Sequence, residues 1–245
     1  MHLLVLTLWL LMLMLAPCLQ TAAMSPPQAR VLVFSKTTGW RHDSIPAAVA
    51  ALQRLGAHEG IQVDHTEDAS RFRPDRLARY QAVVFANTTL DVLDDKQQAA
   101  MQDFVRAGGG FMGIHSAADT EYDWAWYGQL VGARFLSHPA GLQTARVQVE
   151  SDGAKAERNW LISDEIYNFR SNPRERVRVL ATVDEIDYTG GSMGEDHPIA
   201  WCRAFDGGRS WYTGLGHSIA MYDDAVFQQQ LTRGLRYVSG MSDEC

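Results

Sequence analysis

The chain has 245 residues, of which 46% are hydrophobic, and a formal charge of −7. That length buries one full core and is short for two independent domains. Its 22 basic residues are dispersed rather than blocked, which excludes a phosphate-reading stripe or a basic membrane-surface patch and favours a neutral or polar small molecule or glycan as partner.

Residues 1–23 read as a secretory signal peptide. The apolar run Leu3 to Ala16 is too short to span a bilayer comfortably, and small residues from Thr21 to Ala23 precede Met24. The segment before the run carries no Lys or Arg. "LAPC", ending at Cys18, loosely resembles a lipoprotein box, with Pro17 a poor fit, so the alternatives to cleavage are a lipid anchor and an uncleaved segment. The expected location is secreted or periplasmic. Cys202 and Cys245 remain after cleavage; an oxidising compartment permits them to pair, but because Cys202 lies in a strand-like run the reading taken is free thiols.

"RVLVFS" (Arg30 to Ser35) is a β-rich apolar run, and "SIPAAVAALQRLGA" has helical spacing, with Ser44 as cap and Pro46 in the first turn. "IQVDHT" and "QAVVFAN" read as the second and third strands. "DDKQQAAMQDFVRAGGG" is an amphipathic helix stopped by Gly108 to Gly110, and "GFMGIH" is the fourth strand. Strands apolar on both faces, alternating with helices, predict an α/β fold: a mostly parallel sheet with helices on both faces and its ligand at the carboxyl ends of the strands. Beyond His115 the pattern loosens into a short helix in "YDWAWYGQLVGA" and strands in "ARVQVE" and "VRVLATV". A hairpin of "IAWCRAF" and "RSWYTGLGH" turns at Asp206-Gly207-Gly208, and a final helix runs from about Asp223 to Val238. This elaborated C-terminal half adds to the same sheet, giving one domain over residues 30–240.

Five histidines fall at strand ends or in loops: His42, His115, His138, His197 and His217. A single one reads best as a satisfied buried polar group; five in such places predict that at least three share one pocket. Asp43, Asp119, Asp164, Glu165 and Asp196 lie beside the same loops, where Asp43 or Asp119 could equally cap a helix and Glu165 could lie on a solvated strand edge. Tyr167, two residues beyond Glu165, points the same way. Trp124, Trp126, Trp201 and Trp211 read as core, or, beside a polar pocket, as faces for a sugar ring; Trp201 is taken as a substrate contact. Arg41 and Arg209 suit a bidentate clamp on a substrate carboxylate, the alternative being ion pairs to Asp43 and Asp206. Neutral imidazoles can also hold a divalent metal such as zinc. No H-x-x-x-H pair occurs, so such a site would be assembled from distant segments.

The blocks "VFSKTTGWRHDSI", "GGGFMGIHSAADT", "WYGQLVGARF", "DEIYNF", "MGEDHPIAWC" and "GRSWYTGLGH", in this order from about Arg30 to Tyr237, resemble the ThuA-like (trehalose utilisation) family. The resemblance implies a flavodoxin-like sheet related to class I glutamine amidotransferases. "GIHSA" then puts His115 where those enzymes carry a nucleophilic Cys in "G-I-C-x-G", and "GHSIA" puts Ile219 where their H-x-E motif carries Glu. An imidazole there cannot form the thioester, so glutamine hydrolysis is excluded. The family association is with sugar catabolism, alongside oxidoreductases that make keto-sugars. The expected function is a lyase or hydrolase acting on a sugar, keto-sugar or uronate glycan by acid-base chemistry of His115, His217, His42 and Tyr167. Arg41, Asp43, Asp119, His138, Glu165, His197, Trp201 and Arg209 are the expected substrate contacts. The alternatives are a non-catalytic glycan-binding module and an accessory subunit of a sugar oxidoreductase.

Overall fold

A computed structural model describes residues 29–151 and 154–245, so the expected signal segment and Cys18 lie outside the described residues. The first half follows the apolar rhythm of the sequence. Strand β1 (Arg30–Phe34) leads through helix α1 (Ile45–His58) to β2 (Gln62–Thr66). A short helix α2 (Pro74–Leu77) precedes β3 (Ala82–Ala86), and α3 (Asp95–Arg106) precedes β4 (Gly110–Ile114). Strands β3 and β4 are buried at every position, as expected of strands covered on both faces. Helix α3 starts on a capping box between Asp94 and Gln97.

After β4 come α4 (Ala125–Val131), β5 (Phe135–Ser137), β6 (Gln143–Ser151), β7 (Ala154–Asp164), β8 (Asn168–Phe169), β9 (Arg178–Val183), β10 (Pro198–Phe205), β11 (Gly208–Thr213) and α5 (Ala225–Val238). The main sheet has nine strands in the order β2-β1-β3-β4-β11-β10-β9-β6-β7, and β5 pairs with β8 separately. Strands β2, β1, β3, β4 and β11 are mutually parallel; the pairs from β11 outward are antiparallel, so β10 and β6 alone run against the common direction. The chain moves one way from β1 to β2 and the other way from β2 to β3. Right-handed crossovers therefore put α1 on one face and α2 on the other. Accordingly α1 packs with α5, and α2 with α3. Gly110 lets α5 approach closely, because a Cβ there would meet the Val238 carbonyl at 2.0 Å.

Three expectations are corrected. Cys202, on β10, and Cys245 are joined by a disulfide with Cα atoms 6.3 Å apart; the strand position that suggested a free thiol faces the chain's C-terminal end. Ser44 sits at the N-cap of α1 but makes no capping bond, because its hydroxyl donates to Gly216 O at 3.1 Å. Trp201 is 1% exposed, its indole donating to Val131 O and its ring packed on Phe169 and Tyr212, so it is core and no sugar contact. No helix among the described residues is long and apolar enough to cross a membrane.

Candidate functional site

Carboxyl ends of parallel strands build the site. The segment after β1 carries Trp40 and His42, the residue after β4 is His115, and the segment after β11 carries His217. At the turn out of β4, His115 adopts φ 51, a conformation costly for a side chain with a Cβ. The turn is held from several sides. Tyr212 OH donates to His115 O at 2.8 Å, and Nδ1 of His115 lies 2.9 Å from Gly214 O. Gly216, at φ 112, offers its carbonyl to Ser44, Asn87 and Tyr222.

The fourth contributor comes from the far edge of the sheet. Asp164, the last residue of β7, is fully buried and accepts the Gly216 and Ser218 amides at 2.6 and 2.7 Å, tying the end of β7 to the loop that bears His217. Glu165 follows and is shared by three imidazoles. Its Oε2 lies 3.3 Å from both His115 Nε2 and His217 Nδ1, and its Oε1 lies 3.2 Å from His138 Nδ1. The rings of His42, His115 and His217 pack edge to face, with centroids 4.8 to 5.2 Å apart. The Tyr167 ring lies 4.2 Å from that of His115 and against Phe135. One donor atom from each of His42, His115, Glu165 and His217 falls within 4.8 Å of the others, a set of nitrogen and oxygen donors that can hold a divalent metal.

This cluster is the floor of a cavity of about 430 Å³ lined by Trp40, His42, Asp119, Phe135, His138, Glu165, Tyr167 and His217. Trp40 is 73% exposed at its rim. The environments push the titrating groups apart. Burial, with the neighbouring His115 and His217, lowers His42 to about 3, leaving it a neutral base. Burial works to raise the Glu165 carboxyl, but hydrogen bonds and charge from His115 and His217 outweigh it and hold the acid well below the usual carboxylate range. Glu165 in turn raises His217. Burial raises the Asp119 carboxyl, although it accepts a short bond from Tyr122 OH, and keeps Tyr167 protonated.

Not every expected site residue reaches the cavity. Asp43 is exposed and acts only through its charge on His217. Arg41 is held bidentately by Glu67, not by Asp43 or a substrate group. His197 is fully buried, its Nε2 donating to Tyr167 O and its Nδ1 2.8 Å from Glu185, so it supports the Tyr167 segment from behind. Arg209, the second residue of β11, lies at the opposite edge of the sheet from the strand's carboxyl end and binds Tyr237 O, Ser242 O and Asp243 rather than Asp206. Trp40 and Phe135 were not among the expected contacts. The reasoning that placed His42 after the first strand places Trp40 there too, two residues earlier. A larger hollow, about 570 Å³, is lined by Arg174, Glu150 and Asp196, which are paired among themselves, and no cluster of imidazoles opens into it.

The chain belongs to the ThuA family: the family model described as trehalose utilisation matches residues 30–238. Among similar solved structures, a ThuA-like protein from Bacteroides uniformis ATCC 8492 superposes with TM-score 0.73 at 21% identity, over 88% of this chain and 93% of that one. A second, from Parabacteroides merdae ATCC 43184, gives TM-score 0.69 at 20% identity, over 87% and 91%. A β-galactosidase from Bacillus circulans sp. alkalophilus gives TM-score 0.56 at 16% identity, over 87% of this chain and 31% of the galactosidase. At these identities the likeness is one of fold. No curated protein matches the sequence.

Proposed function

We propose that the chain is an exported carbohydrate-active enzyme, a lyase or hydrolase whose reacting centre is His42, His115, Glu165 and His217. The observation that carries the reading is one cavity in which a neutral imidazole, an ionised carboxylate and a proton-holding imidazole stand together beneath an exposed indole. Groups whose proton affinities are driven apart in one place are the usual equipment for acid-base chemistry. In this reading His42 removes a proton, His217 delivers one to the leaving glycosidic oxygen, and Glu165 stabilises positive charge between them. Trp40 and Phe135 offer faces to a sugar ring, and Asp119 and His138 offer hydrogen bonds to its hydroxyls. Tyr167 serves as a protonated wall behind His115 rather than as a base.

Three further observations support the reading. The family is described by trehalose utilisation, and the same fold lies within a β-galactosidase. The strand order β2-β1-β3-β4-β11 is consistent with a flavodoxin-like sheet, a class that binds ligands at the carboxyl ends of its strands. The Cys202 to Cys245 disulfide suits an oxidising compartment, in keeping with export.

Incubating the purified protein with neutral, keto-sugar and uronate glycans, while following reducing ends and unsaturated-product absorbance, tests the proposal. An absorbance rise means elimination; reducing ends alone mean hydrolysis. Binding without turnover would replace the enzyme by a glycan-binding module. Stimulation of a sugar oxidoreductase, with neither binding nor turnover, would make the chain an accessory subunit.

A further inference from the structure

We propose that His115, Glu165 and His217 hold a zinc-type divalent metal ion through His115 Nε2, Glu165 Oε2 and His217 Nδ1, with His42 flanking an open fourth position. Those three atoms form a triangle with every edge 3.3 Å. A regular tetrahedron with metal-ligand bonds of about 2.0 Å has edges of about 3.3 Å, so the triangle has the dimensions of one tetrahedral face around zinc.

The proton positions agree with the distances. Gly214 O can only accept, so the ring nitrogen 2.9 Å from it, His115 Nδ1, carries hydrogen. The unshared pair of a neutral ring then lies on Nε2, directed at a carboxylate and at a second imidazole. A hydrogen on His217 Nδ1 can serve only one of the two atoms 3.3 Å from it, so the edge between His115 Nε2 and Glu165 Oε2 has no hydrogen of its own and sets lone pair against lone pair beside a fully buried ring unless a cation lies there. A ligating histidine that donates its other N–H to a backbone carbonyl is the usual arrangement behind a metal. The supporting atoms are fixed as well: His138 engages the remaining Glu165 oxygen, and Asp164 clamps the amides on either side of His217. Two imidazoles and one carboxylate suit zinc better than magnesium or calcium. Since Glu165, His217 and His42 line the cavity, the fourth position opens toward it, where a water or a sugar oxygen would bind. The ion would then supply positive charge beside Glu165, and His42, outside the three-ligand set, stays free to take a proton.

The inference rests on the same cavity as the proposed function but not on its substrate. The test uses the full chain, stripped with chelator and titrated with zinc alone, with content read by elemental analysis. Wild type should take up one equivalent. His115→Ala and Glu165→Gln should bind at least about 100-fold more weakly, whereas His42→Ala should stay within about tenfold. Should His115→Ala fail to fold by circular dichroism, cobalt added to wild type provides a second reading, because the proposal requires the visible bands of a four-coordinate ion. Folded wild type that takes up no zinc, or cobalt spectra of a six-coordinate ion, would overturn the proposal; loss of zinc in His42→Ala as complete as in His115→Ala would overturn the three-ligand assignment. Glycan turnover by metal-free protein, unchanged by zinc, would overturn the ion's place in the chemistry and leave the enzymatic reading standing. One bound zinc with no turnover of any glycan would do the reverse.

Discussion

Two pairs of a fully buried histidine with a glutamate lie on either side of the Tyr167 segment, and they differ in what surrounds the carboxylate. His115 and His197 are both fully buried, and each places one ring nitrogen 2.9 Å from a backbone carbonyl, Gly214 O or Tyr167 O. Each turns the other nitrogen to a glutamate, Glu165 at 3.3 Å or Glu185 at 2.8 Å. Glu185 spends its remaining capacity on the Met193 and Gly194 amides, and Tyr188 OH lies against the same His197 nitrogen. Among the described residues no backbone amide donates to the Glu165 side chain, which is surrounded by imidazoles at the bottom of a cavity. The same residue pair is thus a finished joint in one place and an unfinished, imidazole-crowded cluster in the other. What separates them is the number of local donors, not the histidine.

The largest effects should come from the unfinished cluster. His115→Ala and His115→Gln should each lower kcat by roughly 10²-fold or more, the scale of losing positioned proton transfer or an electrostatic centre, with the fold retained by circular dichroism. Glutamine keeps a polar shape without an imidazole's proton or metal chemistry. Full activity in His115→Gln would therefore reduce His115 to a turn residue and erase the contrast with His197.

At the finished joint the expected loss is stability. His197→Ala removes a fully buried ring, leaving Tyr167 O without its donor and Glu185 without its imidazole neighbour, a loss of about 1 to 3 kcal/mol for buried groups left unpaired. Denaturant unfolding should register it, while kcat of the folded fraction stays within a few-fold of wild type. A collapse of kcat with unchanged stability would move His197 into the reactive site.

A smaller effect is expected at the exposed tryptophan on the cavity rim. Trp40, 73% exposed, should be dispensable for folding, and Trp40→Ala should raise KM by about tenfold through loss of a stacking face worth about 1.4 kcal/mol. Unchanged KM for every turned-over glycan would remove the indole from the binding surface.

Much of this was legible in the sequence, for identifiable reasons. Apolar runs such as "AVVFA" and the helix between Asp95 and Arg106 declare themselves locally, and the positions of His42, His115 and His217 follow from topology once the strands are known. The contribution of Glu165 was only half legible. Its strand, β7, pairs with β6 at the distant edge of the sheet, and its approach to His115 depends on Asp164 binding two amides some fifty residues away in sequence. Nothing local in "SDEIYNF" encodes that bond. The disulfide was illegible for the same reason, since Cys202 and Cys245 are 43 residues apart and meet only through the packing of the C-terminal segment. Trp201 misled because an indole in a strand reads the same whether its face meets solvent or Tyr212.

The two arginines provide the smallest and sharpest test. Both suit a carboxylate clamp by chemistry, and both are occupied, but in different places. Arg209 joins the start of β11 to Tyr237 O and Ser242 O and pairs with the exposed Asp243, at the sheet edge remote from the histidines. Lysine cannot reproduce a fork that reaches two carbonyls and a carboxylate, so Arg209→Lys should lower stability by about 1 kcal/mol and leave KM unchanged. Arg41 sits beside His42 and pairs with Glu67 across a largely exposed contact, which contributes about 0 to 1 kcal/mol. Its bidentate hold on Glu67 leaves it no free fork for a uronate, so Arg41→Lys should spare both the melting temperature and KM for neutral sugars. A rise in KM confined to uronate substrates would show that a substrate carboxylate displaces Glu67, making the Arg41 pair a gate for acidic sugars while Arg209 remains a strut.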